Sequence, residues 1–384
     1  LNNTEIFNFQ IKNSQFTYFS FLFVGGTSIE GDYLGLSHFL EHLILNSGGA
    51  NSLNTYFDKI GSEIRGETSR DYIHIGGYCR RDDFENALNY CIQKIFSPIF
   101  TFDDFKKEKD IILLELNEYK KLFLRKEEKS IFQNSDWQYD IIGHRKGIQE
   151  FSLKNVIDFH NTIIRTGKCS LIVNGRNLTH LLPISSFENI CNKTAINLPL
   201  FNAVTIDNND NEICNIGINY HISKNNLSAR ELGMLALFNG MLTGIKNSIL
   251  FQKLRKEQRL IYHISSYPTL TQNICLFKIY TKTTKFNKSI VVDIIKKEIN
   301  AIYRNGISNE TIFKQSKRRV VNEMILKLEN DKADMIKQLA KSDLFRTPTY
   351  MEIINELGNV SLNELNRFLK SDILFKNQCS IFID

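Results

Sequence analysis

His38, Glu41 and His42 fall within one apolar stretch, Leu34-Gly-Leu-Ser-His-Phe-Leu-Glu-His-Leu-Ile-Leu-Asn46. Positions four apart on a helix lie on one face, a turn apart. In a helix the two imidazoles can therefore share one metal ion at about 2.0–2.1 Å each. Glu41 stands beside His42 and three residues after His38, so its carboxylate reaches the rim of the same site. A carboxylate beside a metal-bound water is a general base for hydrolysis. The bland alternative is a surface helix with two satisfied histidines. It fits poorly, because Leu36, Phe39, Leu40 and Leu43 surround the polar trio. Such a helix is largely buried, and buried ionisable groups need partners.

A catalytic zinc takes three protein ligands and keeps one position for water. Thr101-Phe-Asp-Asp104 reads as a helix start with Thr as the cap. The helix it opens is expected to run to about residue 125. Glu108 and Glu115 are seven apart and share a face. Glu118 sits about 60° off that face. Spacing alone leaves Glu115 and Glu118 both open as third ligand. A solvated charged face is the alternative, but Ile111, Ile112 and Leu114 imply that part of the helix is covered.

The elements around these residues form a pattern that occurs twice. Strands are expected over 16–24, 63–67, 71–79 and 169–174, and helices over 51–59, 82–96 and 152–164. The pattern restarts with a strand at 213–222 and helices at 229–242 and 248–257. Strands at 262–267 and 274–281 follow, then helices at 287–304, 308–343 and 361–370 and a strand at 379–383. Ser152-Leu…Val156…Phe159 matches Ser361-Leu…Leu365…Phe368, and Cys169-Ser-Leu-Ile-Val matches Cys379-Ser-Ile-Phe-Ile. Both matches have an offset of about 210 residues, the mark of a duplicated domain. The fold class is α+β: two homologous domains, each a mostly antiparallel sheet with helices packed on one face. They are expected over 1–185 and 212–384, with a linker over 186–211. The helix over 229–242 has no His, so one metal per chain is expected, held in the first domain.

At 384 residues the chain is too long for one ordinary core. With 48 basic and 42 acidic residues the net charge of +6 is spread thinly. No arginine-rich block or basic-aromatic stripe is present, which argues against nucleic acid as a partner. The longest apolar run, Phe16 to Val24, is far short of a membrane span. The start, Leu-Asn-Asn-Thr-Glu, shows no signal-peptide pattern. Seven scattered Cys without a Cys-x-x-Cys pair favour reduced thiols and a cytoplasmic setting. The loop with the sole Trp, Trp137, and the remaining histidines, His74, His144, His160, His180, His221 and His263, have no metal spacing.

These motifs together resemble the insulinase–pitrilysin family of zinc peptidases, which includes mitochondrial processing peptidase and small bacterial peptidases. The order His-x-x-Glu-His is the inverzincin signature. Gly35-Leu-Ser-His-Phe-Leu-Glu-His-Leu resembles the family's zinc helix, and Ser62-Glu-Ile-Arg-Gly-Glu-Thr-Ser-Arg-Asp-Tyr the strand and turn after it. Glu108-Lys-Asp-Ile-Ile-Leu-Leu-Glu115 resembles the third-ligand helix. The resemblance implies Zn²⁺ held by His38, His42 and Glu115, with Glu108 supporting them from behind. It implies a zinc-bound water as nucleophile and Glu41 as its general base. Ser248-Ile-Leu-Phe-Gln-Lys-Leu-Arg255…Leu260-Ile-Tyr262 resembles the segment with a substrate-orienting Arg and Tyr, which selects Arg255 and Tyr262. Arg65-Gly66 stands where the family usually has Asn-Ala, on the strand whose backbone pairs with the bound peptide. Arg65 there either adds a preference for acidic side chains or points away. The implied activity is endopeptidase cleavage of peptides or unfolded segments within a closed chamber. Such half-shells pair, as a homodimer or with a homologous chain. The competing reading is a non-catalytic or weakly active partner subunit of a heterodimeric processing peptidase.

Overall fold

Phe16–Val24 is apolar at nearly every position instead of every second one, the pattern of a strand covered on both faces. The computed structural model shows how this comes about. It describes residues 4–9, 14–119, 123–132, 138–166, 169–174, 204–206, 212–222, 226–271, 275–371 and 379–384. Trp137, His180 and most of the linker expected over 186–211 lie outside these residues.

The first sheet contains β1 (Thr4–Phe9), β2 (Phe16–Val24), β3 (Glu63–Thr68), β4 (Tyr72–Arg80) and β5 (Cys169–Asn174). Their order is β1-β5-β2-β4-β3, antiparallel throughout except that β1 runs parallel to β5. The second sheet has β6 (Val204–Ile206), β7 (Ile213–Ile222), β8 (Ile264–Leu270), β9 (Cys275–Thr284) and β10 (Cys379–Ile383). Its order, β6-β10-β7-β9-β8, repeats the first strand for strand, with β6 parallel to β10. The duplication expected from the sequence is thus present in the topology, and β1 and β6 are additions to it. β6 falls within the range expected as linker.

On one face of the first sheet pack α1 (Leu36–Asn46), α2 (Leu53–Lys59), α3 (Phe84–Phe96), α4 (Phe102–Tyr119), α6 (Arg145–Glu150) and α7 (Leu153–Thr166), with α5 (Phe123–Ile131) placed elsewhere. Phe19, Phe21 and Phe23 of β2 meet Phe39, Leu40 and Leu43 of α1 in this core. In the second sheet the corresponding face carries α8 (Ala229–Asn239), α9 (Lys288–Asn305), α10 (Glu310–Asn330), α12 (Tyr350–Gly358) and α13 (Leu362–Leu369). Helix α8 runs on into a π-helical turn at Gly240–Gly244, and a second one spans Phe251–Glu257.

Two stretches of chain cross between the ranges expected for the domains, 1–185 and 212–384. The chain forms two compact units: 1–122, 139–194 and 327–346 in one, 123–138, 195–326 and 347–384 in the other. The helix expected over 308–343 breaks at Asp331, whose side chain accepts from the Asp334 N–H and starts α11 (Lys332–Phe345). Helix α11 covers the second face of the first sheet, where Ile336 and Ala340 bury Leu22, Tyr72 and Ile172. Of the helix expected over 101–125, residues 102–119 form α4, while α5, beginning at Phe123, belongs to the second unit. Phe123 there packs on Tyr280 and Phe382. Each unit is therefore completed by a helix from the other half of the sequence.

Polar contacts fix both exchanged helices. Lys337 of α11 reaches Glu67 at 2.8 Å, and the Tyr72 hydroxyl donates to the same carboxylate at 2.6 Å. In the second unit Glu127 of α5 accepts from Asn219 Nδ2 at 2.8 Å and lies 3.7 Å from Lys278 Nζ. Glu127 and Lys278 are 2% and 4% exposed, and Lys278 also lies 3.5 Å from Glu128 Oε1, so Glu127 is the buried charge that depends on this lysine. Among the described residues, no helix is long and apolar enough to cross a membrane. Lys278→Met strands Glu127 and is expected to cost about 3–5 kcal/mol in urea unfolding, while adding Glu127→Leu recovers most of the loss. A double variant no more stable than Lys278→Met would overturn this pairing.

Candidate metal centre

Helix α1 presents its apolar stripe to the sheet and its two histidines to α4. The His38 and His42 rings are 4.6 Å apart between centroids, one turn above the other. Helix α4 buries Phe105, Glu108, Ile112 and Leu116, and this stripe turns Glu115 toward the histidines. Glu115 Oε1 lies 3.8 Å from His38 Nε2, and Oε2 lies 3.6 Å from His42 Nε2. Both separations are too long for hydrogen bonds. They are near the roughly 3.3–3.5 Å between two tetrahedral ligands on an ion at about 2.0–2.2 Å. One donor atom from each of His38, His42 and Glu115 lies within 4.8 Å of the others. Glu118, one turn on, is exposed and stands outside this group.

The electrostatics suit ligation. Burial, with His42 adjacent, pushes His38 down to about 3, so its imidazole is neutral and has a lone pair to offer. Burial alone would also lower His42. The hydrogen bond and charge of Glu108, joined by the charges of Glu41 and Glu115, outweigh that and raise it. His42 Nδ1–H donates to Glu108 Oε2 at 3.0 Å, which leaves Nε2 as the lone-pair nitrogen facing Glu115. Asn46 Nδ2 donates to the same Glu108 oxygen at 3.3 Å. Glu108 thus stands at the His42 ring nitrogen that faces away from Glu115.

Glu41 is 8% exposed, and burial raises its carboxyl against the pull of the Thr68 hydrogen bond. The Thr68 hydroxyl donates to Oε2 at 2.8 Å. Strand β3 turns Gly66 and Thr68 toward α1, and a β-carbon on Gly66 would fall 2.1 Å from Glu41 Oε1. Glycine thus leaves the space that this carboxylate fills. Arg65 faces the other way, pairs with Glu63 and is 75% exposed. The structure does not bring it to Glu41. Strand β3 is an edge strand of its sheet.

In the second unit, the Arg255 guanidinium lies over the rings of Tyr262 at 4.7 Å and Phe251 at 5.2 Å. It also donates to the Tyr262 carbonyl. The two residues selected from the sequence are in contact, and Tyr262 is 79% exposed. Among the other histidines, His160 Nε2–H donates to the Ile95 carbonyl in the core, and His144 caps α6. His74 is buried in β4, and burial, with Lys337 near, pushes it down to about 3. Thr68 and Asn46 join the site without having been read from the sequence. No spacing signal marks either one, since their roles depend on which residues the fold brings beside them.

Residues 11–138 match the model of the insulinase family (peptidase family M16), and residues 150–319 match that of the peptidase M16 inactive domain. The second match falls where α8 has no His. An uncharacterized zinc protease of Bacillus subtilis (strain 168), YmxG, is 22% identical over 86% of this chain and 84% of its own length. An uncharacterized zinc protease of Rickettsia felis is 22% identical over 75% of this chain and 73% of its own. Two solved structures share the fold. A peptidase M16 inactive domain from Pseudomonas fluorescens has a TM-score of 0.81 at 16% identity, covering 99% of this chain and 95% of that one. A protease from Helicobacter pylori has a TM-score of 0.78 at 15% identity, covering 100% and 97%.

The geometry separates three glutamates by their effect on zinc binding, measured by competition with a chromogenic chelator. Glu118→Gln should leave affinity nearly unchanged. Glu108→Gln should lower it about 10–100-fold, the range for loss of a ligand's hydrogen-bond partner. Glu115→Gln should lower it further. Loss of the metal in Glu118→Gln and retention in Glu115→Gln would assign the third ligand to the next turn of α4.

Proposed function

Since the chain belongs to the insulinase family of peptidases, family M16, we propose that it is a zinc-dependent endopeptidase with one zinc site per chain. The carrying observation is the convergence of His38, His42 and Glu115 with the Glu41 carboxylate on the adjoining turn of α1. His38 and His42 offer imidazole nitrogens and Glu115 a carboxylate oxygen, a donor set that zinc accepts readily. When bound, zinc supplies a Lewis acid that polarises a carbonyl and acidifies a water.

Every other part of the reaction falls to the chain's own residues. Glu41 takes a proton from the attacking water and later delivers one to the leaving amine. Its burial favours the protonated form and the Thr68 hydroxyl favours the carboxylate, and the two opposed influences suit a group that must do both. Glu108 holds the His42 ring in orientation. The peptide adds to the outer edge of β3, backbone to backbone, which lays its scissile bond beside Gly66 and Glu41. Arg255 and Tyr262 hold the peptide and stabilise the charge developing on the carbonyl oxygen, as the family resemblance implies.

The substrate is then a peptide or unfolded segment that can add as a strand. The chain works paired with a second, homologous chain, identical or not, that closes a chamber. A non-catalytic partner subunit is less well supported, since the His-x-x-Glu-His motif and its third carboxylate are complete. Glu41→Gln should retain one zinc per chain and lose peptide cleavage by about 10²–10⁴-fold. His38→Ala and His42→Ala should lose the zinc itself, read by metal analysis of the purified chain. Near-normal cleavage by Glu41→Gln would sink the mechanism, and a wild-type chain without zinc would sink the assignment.

A further inference from the structure

Glu30 is a buried carboxylate that the reaction above leaves without a role. It is 5% exposed and stands between α1 and the turn joining β3 to β4. Its Oε2 accepts the Gly35 N–H and its Oε1 the Ser37 N–H, both at 2.7 Å. These are two of the unpaired amides at the N-terminus of α1, where the helix dipole also favours an anion.

The usual capping device is absent from α1. Helices are normally capped by a Ser, Thr, Asp or Asn at the residue before the first turn. Here that residue is Gly35, with φ +98°, and a β-carbon on it would fall 2.6 Å from the Ile142 carbonyl oxygen. No side chain fits there, so the cap must come from outside the helix. Glu30 provides it from a strap, residues 25–30, that is itself bound to the hairpin turn. Gly25, Thr27 and Ser28 donate backbone N–H groups to the carbonyls of Asp71, Ser69 and Arg70 at 2.9, 3.1 and 2.9 Å. Gly26 permits this approach, since a β-carbon there would meet the Ser69 oxygen at 2.2 Å.

The strap therefore joins the two elements whose spacing matters most. Ser37 immediately precedes His38, and the bonded turn follows directly after Thr68, the residue that holds Glu41. We infer that Glu30 is a positioning residue for the metal centre: its carboxylate ties the first turn of α1 to the β3–β4 hairpin and so sets where His38, Glu41 and His42 stand. The inference rests on the zinc reading above for its consequence and on hydrogen bonds alone for its geometry. Burial pushes the Glu30 carboxyl up to about 7, against the pull of the two N–H groups and Arg70. Its anionic form is therefore best examined at pH 8.

The test uses the full chain with Glu30→Gln and Glu30→Ala. In zinc-free protein, hydrogen exchange at Ser37 to Glu41 should speed up by about 2–30-fold, the equivalent of a lost helix cap. Exchange in the second unit should not change. Zinc affinity of the folded chains, from chelator competition well below the melting temperature, should fall over the same range. The expected order is wild type, then Glu30→Gln, then Glu30→Ala. A lower melting temperature with unaltered zinc affinity would overturn the inference and leave Glu30 a merely structural residue. Unaltered exchange at α1 would overturn it as well, whether or not zinc binds. Should Glu30→Ala not fold, Glu30→Gln alone decides between these results. Failure of the wild-type chain to bind zinc would instead count against the zinc reading, and the exchange data would still decide whether Glu30 holds α1.

Discussion

Burying carboxylates around one apolar helix costs free energy that only specific partners offset. Glu30, Glu41 and Glu108 are 5%, 8% and 6% exposed; Glu41 belongs to α1, and the other two lie against it. Each has its own answer to that cost. Glu30 takes two backbone amides, Glu41 takes the Thr68 hydroxyl, and Glu108 takes His42 and Asn46. Helix α1 can therefore be core on one side and chemistry on the other within eleven residues. Removing any one of these partners leaves a charge that the apolar neighbours, Phe39, Leu40 and Leu43, cannot solvate.

The same balance of apolar cover and polar anchoring recurs away from the site. Helix α11 lays Ile336 and Ala340 on the first sheet and sends Lys337 to Glu67. Helix α5 lays Phe123 on the second sheet and buries Glu127 between Asn219 and Lys278. The apolar contacts supply most of the favourable free energy, but they are tolerant of position. The charged contacts are not, because a slip by one turn would leave a buried charge unpaired. They fix which turn of each helix sits over which strand.

What the sequence discloses follows from the range over which its signals act. The histidine pair is legible because both side chains lie on one helix, where spacing converts directly into direction. Glu115 is legible in part, since α4 orders its carboxylates by turn but leaves two of them open until the opposing histidines are in place. Glu30 is not legible. It stands in a strap without periodicity, and its function depends on Gly35 being unable to bear a side chain. The exchanged helices are hidden for a different reason. Periodicity tells which face of α5 or α11 is apolar, not which sheet that face will cover. Asp331 and Asp334 did offer a cap that would have divided the helix at 331, and Thr349 and Glu352 a capping box that announces α12.

The exchange also orders events during synthesis. Residues 16–24, 72–80 and 169–174 can pair into a sheet once the ribosome has made them, but Leu22, Tyr72 and Ile172 then have no cover. That cover is α11, which ends at Phe345. At the usual rate of about 5–20 residues per second, roughly 10–35 s separate the last strand of the first sheet from the helix that shields it. During that interval the nascent chain carries an apolar sheet face exposed to its surroundings, a surface of the kind that chaperones bind. The first unit, although its sheet is drawn from residues before 175, is finished only after four strands of the second unit have been made.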